Sequence, residues 1–174
     1  VHRFRRLAWL VQGVFGVVYT IPSIALMILL IPLFGLSVTT VTVALVLYSQ
    51  IILVRNTLAG LEGIDPAVME AARGMGMNFW QIARRVQFPL ALPVILAGVR
   101  LAAVVTVAIA TIGAKFGSGG LGTLLFDGIA QNRMDKIWLG ALAVALLAFA
   151  FNRGLQTAER RLGRFRWVGE GAPA

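Results

Sequence analysis

From Leu7 to Val54 the chain carries no charged residue, a run of 48. One membrane-spanning helix needs about 20 apolar residues, so this run has room for two helices and a tight turn. Composition agrees: 59% of residues are hydrophobic and 13% are charged, against roughly 45–50% and about 25% in ordinary globular domains. A soluble protein of 174 residues could not bury that much apolar surface. Gly35-Leu36-Ser37 marks the turn. The first span is therefore expected over residues 7–34, with Pro22 and Pro32 kinking it from inside. The second is expected over 38–58, ending at Arg55-Asn56 just short of Gly60. After Arg3, Arg5 and Arg6 the apolar run is too long for a cleavable signal peptide and has no small-residue cleavage site.

A third span is expected to start near Pro89–Pro93 and run to about Gly113. It contains Arg100, the one ionisable residue expected inside a span, which can snorkel to the surface or turn into the bundle. Ala102, Thr106, Ala110 and Ala114 recur every four residues, a stripe that lets another helix approach closely. Residues 115–136 are glycine-rich, then weakly apolar, then charged, and predict an external loop with one short or re-entrant helix. The last span is expected over 137–152, bracketed by Lys136 and Arg153. A basic tail follows, and its end, 164–174, has the composition of a disordered terminus.

Four spans put both termini and the polar stretch 65–93 on one side. That side holds twelve of the 16 basic residues: Arg3, Arg5, Arg6, Arg55, Arg73, Arg84, Arg85, Arg153, Arg160, Arg161, Arg164 and Arg166. The other side holds Lys115, Arg133 and Lys136. The bias toward basic residues in cytoplasmic segments puts the termini and residues 65–93 in the cytoplasm. It also accounts for the net charge of +9 without nucleic acid. There is no cysteine and a single histidine, His2, so neither disulfides nor cysteine or histidine-cluster metal sites are open to the chain. No cofactor is expected.

Residues 65–93, DPAVMEAARGMGMNFWQIARRVQFPLALP, are the polar island between membrane segments. Asp65-Pro66 is a helix start, an N-cap followed by proline at the first helical position. The helix can run to Met75, with Gly76 in the left-handed position beyond it. Asn78 caps a second helix, Gln81 completes a capping box, and Pro89 closes it. Two readings fit these residues. A loop lying on the membrane needs a strongly basic face opposite a bulky apolar one, whereas the first helix is small, with Ala67, Ala71, Ala72 and Gly74 and Arg73 as its only base. Docking against a cytoplasmic protein is the other.

Glu70-Ala71-Ala72, three residues, Gly76, nine residues and then Val86-Gln87-Phe88-Pro89 resemble the EAA loop of binding-protein-dependent ABC import permeases. In that family the loop forms coupling helices that sit in a cleft of the ATP-hydrolysing subunit. By that resemblance Glu70, Ala71, Ala72 and Gly76 are the docking residues, with Phe79 and Trp80 as neighbours. Thr20-Ile21-Pro22-Ser23-Ile24-Ala25-Leu26, Arg55-Asn56-Thr57, Ala97-Gly98-Val99-Arg100 and Gly119-Gly120-Leu121-Gly122 are similar to the osmoprotectant permeases, those for glycine betaine, carnitine and choline. The resemblance covers about residues 10–162. Tyr19, Ile52 and Lys115-Phe116 depart from the usual glutamine, proline and apolar pair.

The resemblance implies an all-α, polytopic membrane helix bundle. It would have about four transmembrane helices and a cytoplasmic coupling-helix hairpin: the transmembrane domain of a type I ABC importer over 1–163, with the family's first helix missing from this chain. It implies cytoplasmic ATP-binding subunits, a second permease subunit (identical or not), an extracytoplasmic substrate-binding protein and membrane lipid as partners, in a bacterial cytoplasmic membrane. A permease for methionine or another small solute, and a truncated or non-transporting membrane scaffold, are the alternatives.

Other signals are weaker. Residues 117–122 match GxGxxG, but a dinucleotide site needs a strand before it and a helix after it in a βαβ unit; a turn or external gate fits better. There is no P-loop, so ATP hydrolysis belongs to another polypeptide. Tyr19, Tyr48, Trp9 and Trp138 could face a quaternary ammonium or form the aromatic belts of the membrane surface. Thr20, Ser23, Tyr48 and Gln50 are candidates for the translocation path. Thr20, Ser23, Ser49, Gln50 and Thr106 could equally bond to backbone carbonyls. No acidic residue lies inside an expected span, which favours energy supplied from outside the membrane domain.

Overall fold

The computed structural model describes Gly13, Gly16, Val17 and residues 19–163, with side chains as far as Glu159. Among these residues the secondary structure is entirely helical: α1 (Ser23–Phe34), α2 (Val38–Glu62), α3 (Pro66–Gly74), α4 (Phe79–Ile82), α5 (Phe88–Gly113), α6 (Leu121–Ala130) and α7 (Met134–Gly163). Three helices are long and apolar enough to cross a membrane: Val38–Glu62, the continuous helix Phe79–Phe116, and Met134–Glu159. The fourth expected span, 7–34, begins outside the described residues, and so do Trp9 and the tail 164–174.

Pro22 interrupts that first span instead of kinking it. Thr20 is helical, Pro22 is extended (φ −54°, ψ 138°), and α1 starts afresh at Ser23. A proline disfavours helical geometry in the residue before it, and the Tyr48 hydroxyl takes up the freed Ile21 carbonyl. Pro32 stays inside α1. The turn falls where expected. Gly35 has a φ of 69°, Ser37 caps α2 by accepting from the Thr40 N–H, and the fully buried Thr40 hydroxyl returns to the Gly35 carbonyl at 2.6 Å.

α2 does not stop before Gly60 but runs through it to Glu62. Gly60 is a contact, not a stop: a Cβ there would lie 3.0 Å from the Ala91 carbonyl and 3.1 Å from Val94. The seam between α2 and α5 is built from Ala91, Gly98, Ala102 and Gly113, all buried. Of the expected stripe, Ala102 belongs to this seam, packed on Ile51 and Ile52, while Thr106, Ala110 and Ala114 are half-buried. A second core joins Leu26 and Met27 of α1 to Val41, Ala44 and Tyr48 of α2.

The third span starts earlier than expected, because α4 does not end before Pro89. Ala83–Gln87 forms one π-helical turn that joins α4 to α5. In it the Phe88 N–H reaches back five residues to the Ala83 carbonyl. Pro89 then falls in the first turn of α5, where its missing N–H does not break the rod.

Beyond α5, Gly117 packs on the Leu36 carbonyl, so the α1–α2 turn and the glycine-rich loop share one end of the bundle. The short helix expected in 115–136 is α6, which packs on α7. α7 is also longer than expected and passes Arg153 without a break to Gly163. Charges end a span but do not end a helix, and from Arg153 to Arg161 there is no proline and one glycine, Gly154, which meets no neighbour.

Candidate functional site

α3 and α4 form a hairpin at the end of the bundle opposite the glycine-rich loop, between the end of α2 and the start of α5. Each of its turns is fixed by a short-range device that the sequence spells out. Asp65 Oδ1 accepts from the Ala67 N–H at 2.8 Å and Pro66 occupies the first helical position. At the other end the Met77 N–H reaches the Ala72 carbonyl (3.2 Å) and the Gly76 N–H the Arg73 carbonyl (2.9 Å). These are the paired bonds of a Schellman motif, with Gly76 at φ 73°. Asn78 and Gln81 complete a reciprocal capping box at 2.8 and 2.9 Å.

The hairpin sorts its residues. Ala72 is buried at 1%, whereas Glu70, Ala71 and Gly76 are exposed. Met75 (70%), Phe79 (62%) and Trp80 (71%) stand out from the turn, and the two rings meet edge to face with centroids 5.7 Å apart. Behind them Asn78, Trp80, Gln81, Arg84 and Arg85 line a shallow polar depression. One small helix thus offers a carboxylate and a small-residue face, and the next offers two aromatic rings. Large exposed apolar groups rimmed by polar ones mark interaction sites.

The path candidates are only partly brought together. Thr20, Ser23 and Tyr48 gather about the Pro22 break. Gln50 is two positions past Tyr48 on α2, about 200° round the helix. The Thr20 and Ser49 hydroxyls donate to the Val17 and Val46 carbonyls of their own helices at 2.7 and 2.9 Å, and Tyr48 donates to Ile21. These hydroxyls are committed to backbone. Tyr19 and Tyr48 stack at 5.8 Å, tilted by 58°, but Tyr48 is buried at 6%. Trp138, 74% exposed near the start of α7, fits a membrane-surface belt. The GxGxxG stretch is a turn. Gly117, Gly119 and Gly120 have positive φ, a span precedes them, and α6 begins at Leu121.

Of its two expected placements Arg100 takes the inward one: it faces α7, where its Nε lies 3.7 Å from Glu159 Oε2, a partner that escaped the sequence. Glu159 lies on the same helix seven residues past the expected span 137–152, because α7 continues beyond Arg153. Arg100 lines a groove of about 650 Å³ together with Asn56, Ala97, Leu101, Val104 and Asn152, among others. The signal was available: Asn152, Gln156 and Glu159 share one face of a helix at spacings of four and three.

A family model described as binding-protein-dependent transport system inner membrane component matches residues 1–164. The carnitine transport permease protein OpuCB of Listeria monocytogenes is 39% identical over 92% of this chain and 73% of its own length. The osmoprotectant import permease protein OsmW of Salmonella typhimurium is 43% identical over 86% and 72%. The glycine betaine/carnitine/choline permease protein OpuCB of Bacillus subtilis is 35% identical over 92% and 74%. Among solved structures, an inward-facing MetNI methionine ABC transporter superposes with a TM-score of 0.81 at 22% identity. It covers 90% of this chain and 76% of that one, and it establishes the likeness of fold.

Proposed function

This chain belongs to the family of binding-protein-dependent transport system inner membrane components and is a permease subunit of an ABC importer, and we propose that its cargo is a quaternary-ammonium osmoprotectant such as glycine betaine, carnitine or choline. The relatives' names support the cargo. The methionine transporter, at 22% identity, speaks for the fold alone.

The hairpin is the coupling element in this reading. Glu70, Ala71 and Gly76 present its docking face, Ala72 holds it together, and Phe79 and Trp80 fill a hydrophobic recess of a cytoplasmic ATP-binding subunit. The observation that carries this is the exposed Glu70-Ala71 and Phe79-Trp80 pair on a turn held by its own short-range backbone and capping bonds. A rigid knob needs little ordering when it binds. The hairpin and both chain ends lie in the cytoplasm by the basic-residue bias. Residues 1–163 form the membrane domain and 164–174 a basic tail. A second permease subunit and an external binding protein complete the assembly. Closure of the ATPase dimer displaces the hairpin and, through it, the spans.

Reconstitution with the cognate ATPase and binding protein in proteoliposomes tests both parts. Glu70→Lys and Gly76→Pro are expected to abolish ATPase association and uptake while membrane insertion persists. Intact association and uptake in both variants sink the coupling role. Uptake of methionine to the exclusion of betaine, carnitine and choline sinks the cargo.

A further inference from the structure

α7 is tied to the hairpin only indirectly along the chain, through α6 and the far end of the bundle, whereas α5 continues from the hairpin without a break. α5 and α7 pack directly on each other, and a groove of about 650 Å³ opens along them beside Arg100. Dispersion contacts are lost within about an ångström of separation, so packing beside the groove weakens as soon as the helices shift. A charge pair holds over a longer range, because its attraction falls only as the first power of distance. Arg100 and Glu159 form such a bridge, at 3.7 Å, with both side chains about two-thirds or more covered. Among the described residues the other ion pair, Arg133–Asp135, is local and exposed. The bridge is also incomplete. Glu159 Oε2 is buried and makes no hydrogen bond among the described residues, so the contact has room to tighten in another arrangement of the helices.

We propose that Arg100 and Glu159 are positioning residues whose ion pair makes α7 follow α5 when the hairpin moves, carrying the displacement into the last span. The proposal rests on the permease reading. Removing either charge frees α5 to respond to the ATPase while α7 stays behind. Hydrolysis then continues and cargo movement does not.

The test uses the whole assembled transporter in proteoliposomes, reading uptake and ATP hydrolysis together. Arg100→Gln and Glu159→Gln are each expected to keep hydrolysis that responds to the binding protein and to lower uptake per ATP about tenfold, the scale of a typical coupling between sites. The exchanged pair, Arg100→Glu with Glu159→Arg, is expected to recover most of that ratio. An unchanged ratio in both single variants overturns the proposal. So does parallel loss of hydrolysis and uptake, or an exchanged pair no better than its parents. If the neutral variants do not assemble, Arg100→Lys and Glu159→Asp keep the charges and are expected to keep most of the ratio; a loss of about tenfold in these overturns the proposal equally. A wild-type assembly that imports nothing counts against the permease reading itself, whereas a wild type that imports alongside fully coupled variants counts against the ion pair alone.

Discussion

Gly98 sets how closely α2 and α5 approach. A Cβ at this position would lie 2.4 Å from Asn56 Cβ, and Asn56 is itself held by its Nδ2 donating to the Ile52 carbonyl at 2.8 Å. Neither side can yield cheaply, so Gly98→Ala is expected to cost about 1–3 kcal/mol, the usual penalty of overpacking. Gly74→Ala is the control, since nothing lies within 4 Å of its added methyl. Thermal unfolding in detergent, followed by fluorescence, should show a lowered midpoint for the first and none for the second. At this scale the residues that matter most are small ones, because a bundle without water between its helices gains from close approach and not from the hydrophobic effect.

The π-helical turn at Ala83–Gln87 governs the orientation of the hairpin relative to α5. Deleting Val86 removes the extra residue and should restore a regular helix, turning the hairpin about 100° around the axis of α5 and drawing it in by about 1.5 Å. Membrane insertion is expected to survive, while co-purification with the ATPase subunit is lost; retained co-purification counts against the hairpin's fixed aim. What the sequence made legible is local. Asp65-Pro66, Gly76, Asn78 with Gln81, and Gly35 to Ser37 each meet their partners within six residues, and all fell where expected. Gly60, Pro89 and Arg153 misled because their local meaning as stops is overridden by neighbours or by helix continuity. The Arg100–Glu159 bridge joins residues 59 positions apart, and the shared face of Asn152, Gln156 and Glu159 was its one trace in the sequence. The docking face was legible as a motif, but the inward burial of Ala72 needed the folded turn.

For the whole molecule, the exposed apolar faces of α1, α5 and α7 need lipid or another membrane subunit around them. The absence of cysteine makes the orientation directly measurable. A single cysteine at Asn132, in the α6–α7 turn, is expected to react with a membrane-impermeant maleimide in intact cells. One at Gly74, in the hairpin, should react only after permeabilisation. The reverse pattern inverts the topology and removes the hairpin from any cytoplasmic ATPase.

The helix from Phe79 to Phe116 is 38 residues long, roughly 57 Å, about twice the hydrocarbon thickness of a bilayer. Gly98 meets Asn56 at its midpoint, and Gly60 against Ala91, Gly113 against Val41 and Gly122 against Thr111 hold it on either side. A rod clamped along its length moves as one body. A tilt of about 5° about its centre carries each tip some 2–3 Å in opposite directions, by the rise of a helix residue over half its length. In the proposed transport cycle, then, the hairpin at one tip and the glycine-rich loop at the other would move reciprocally.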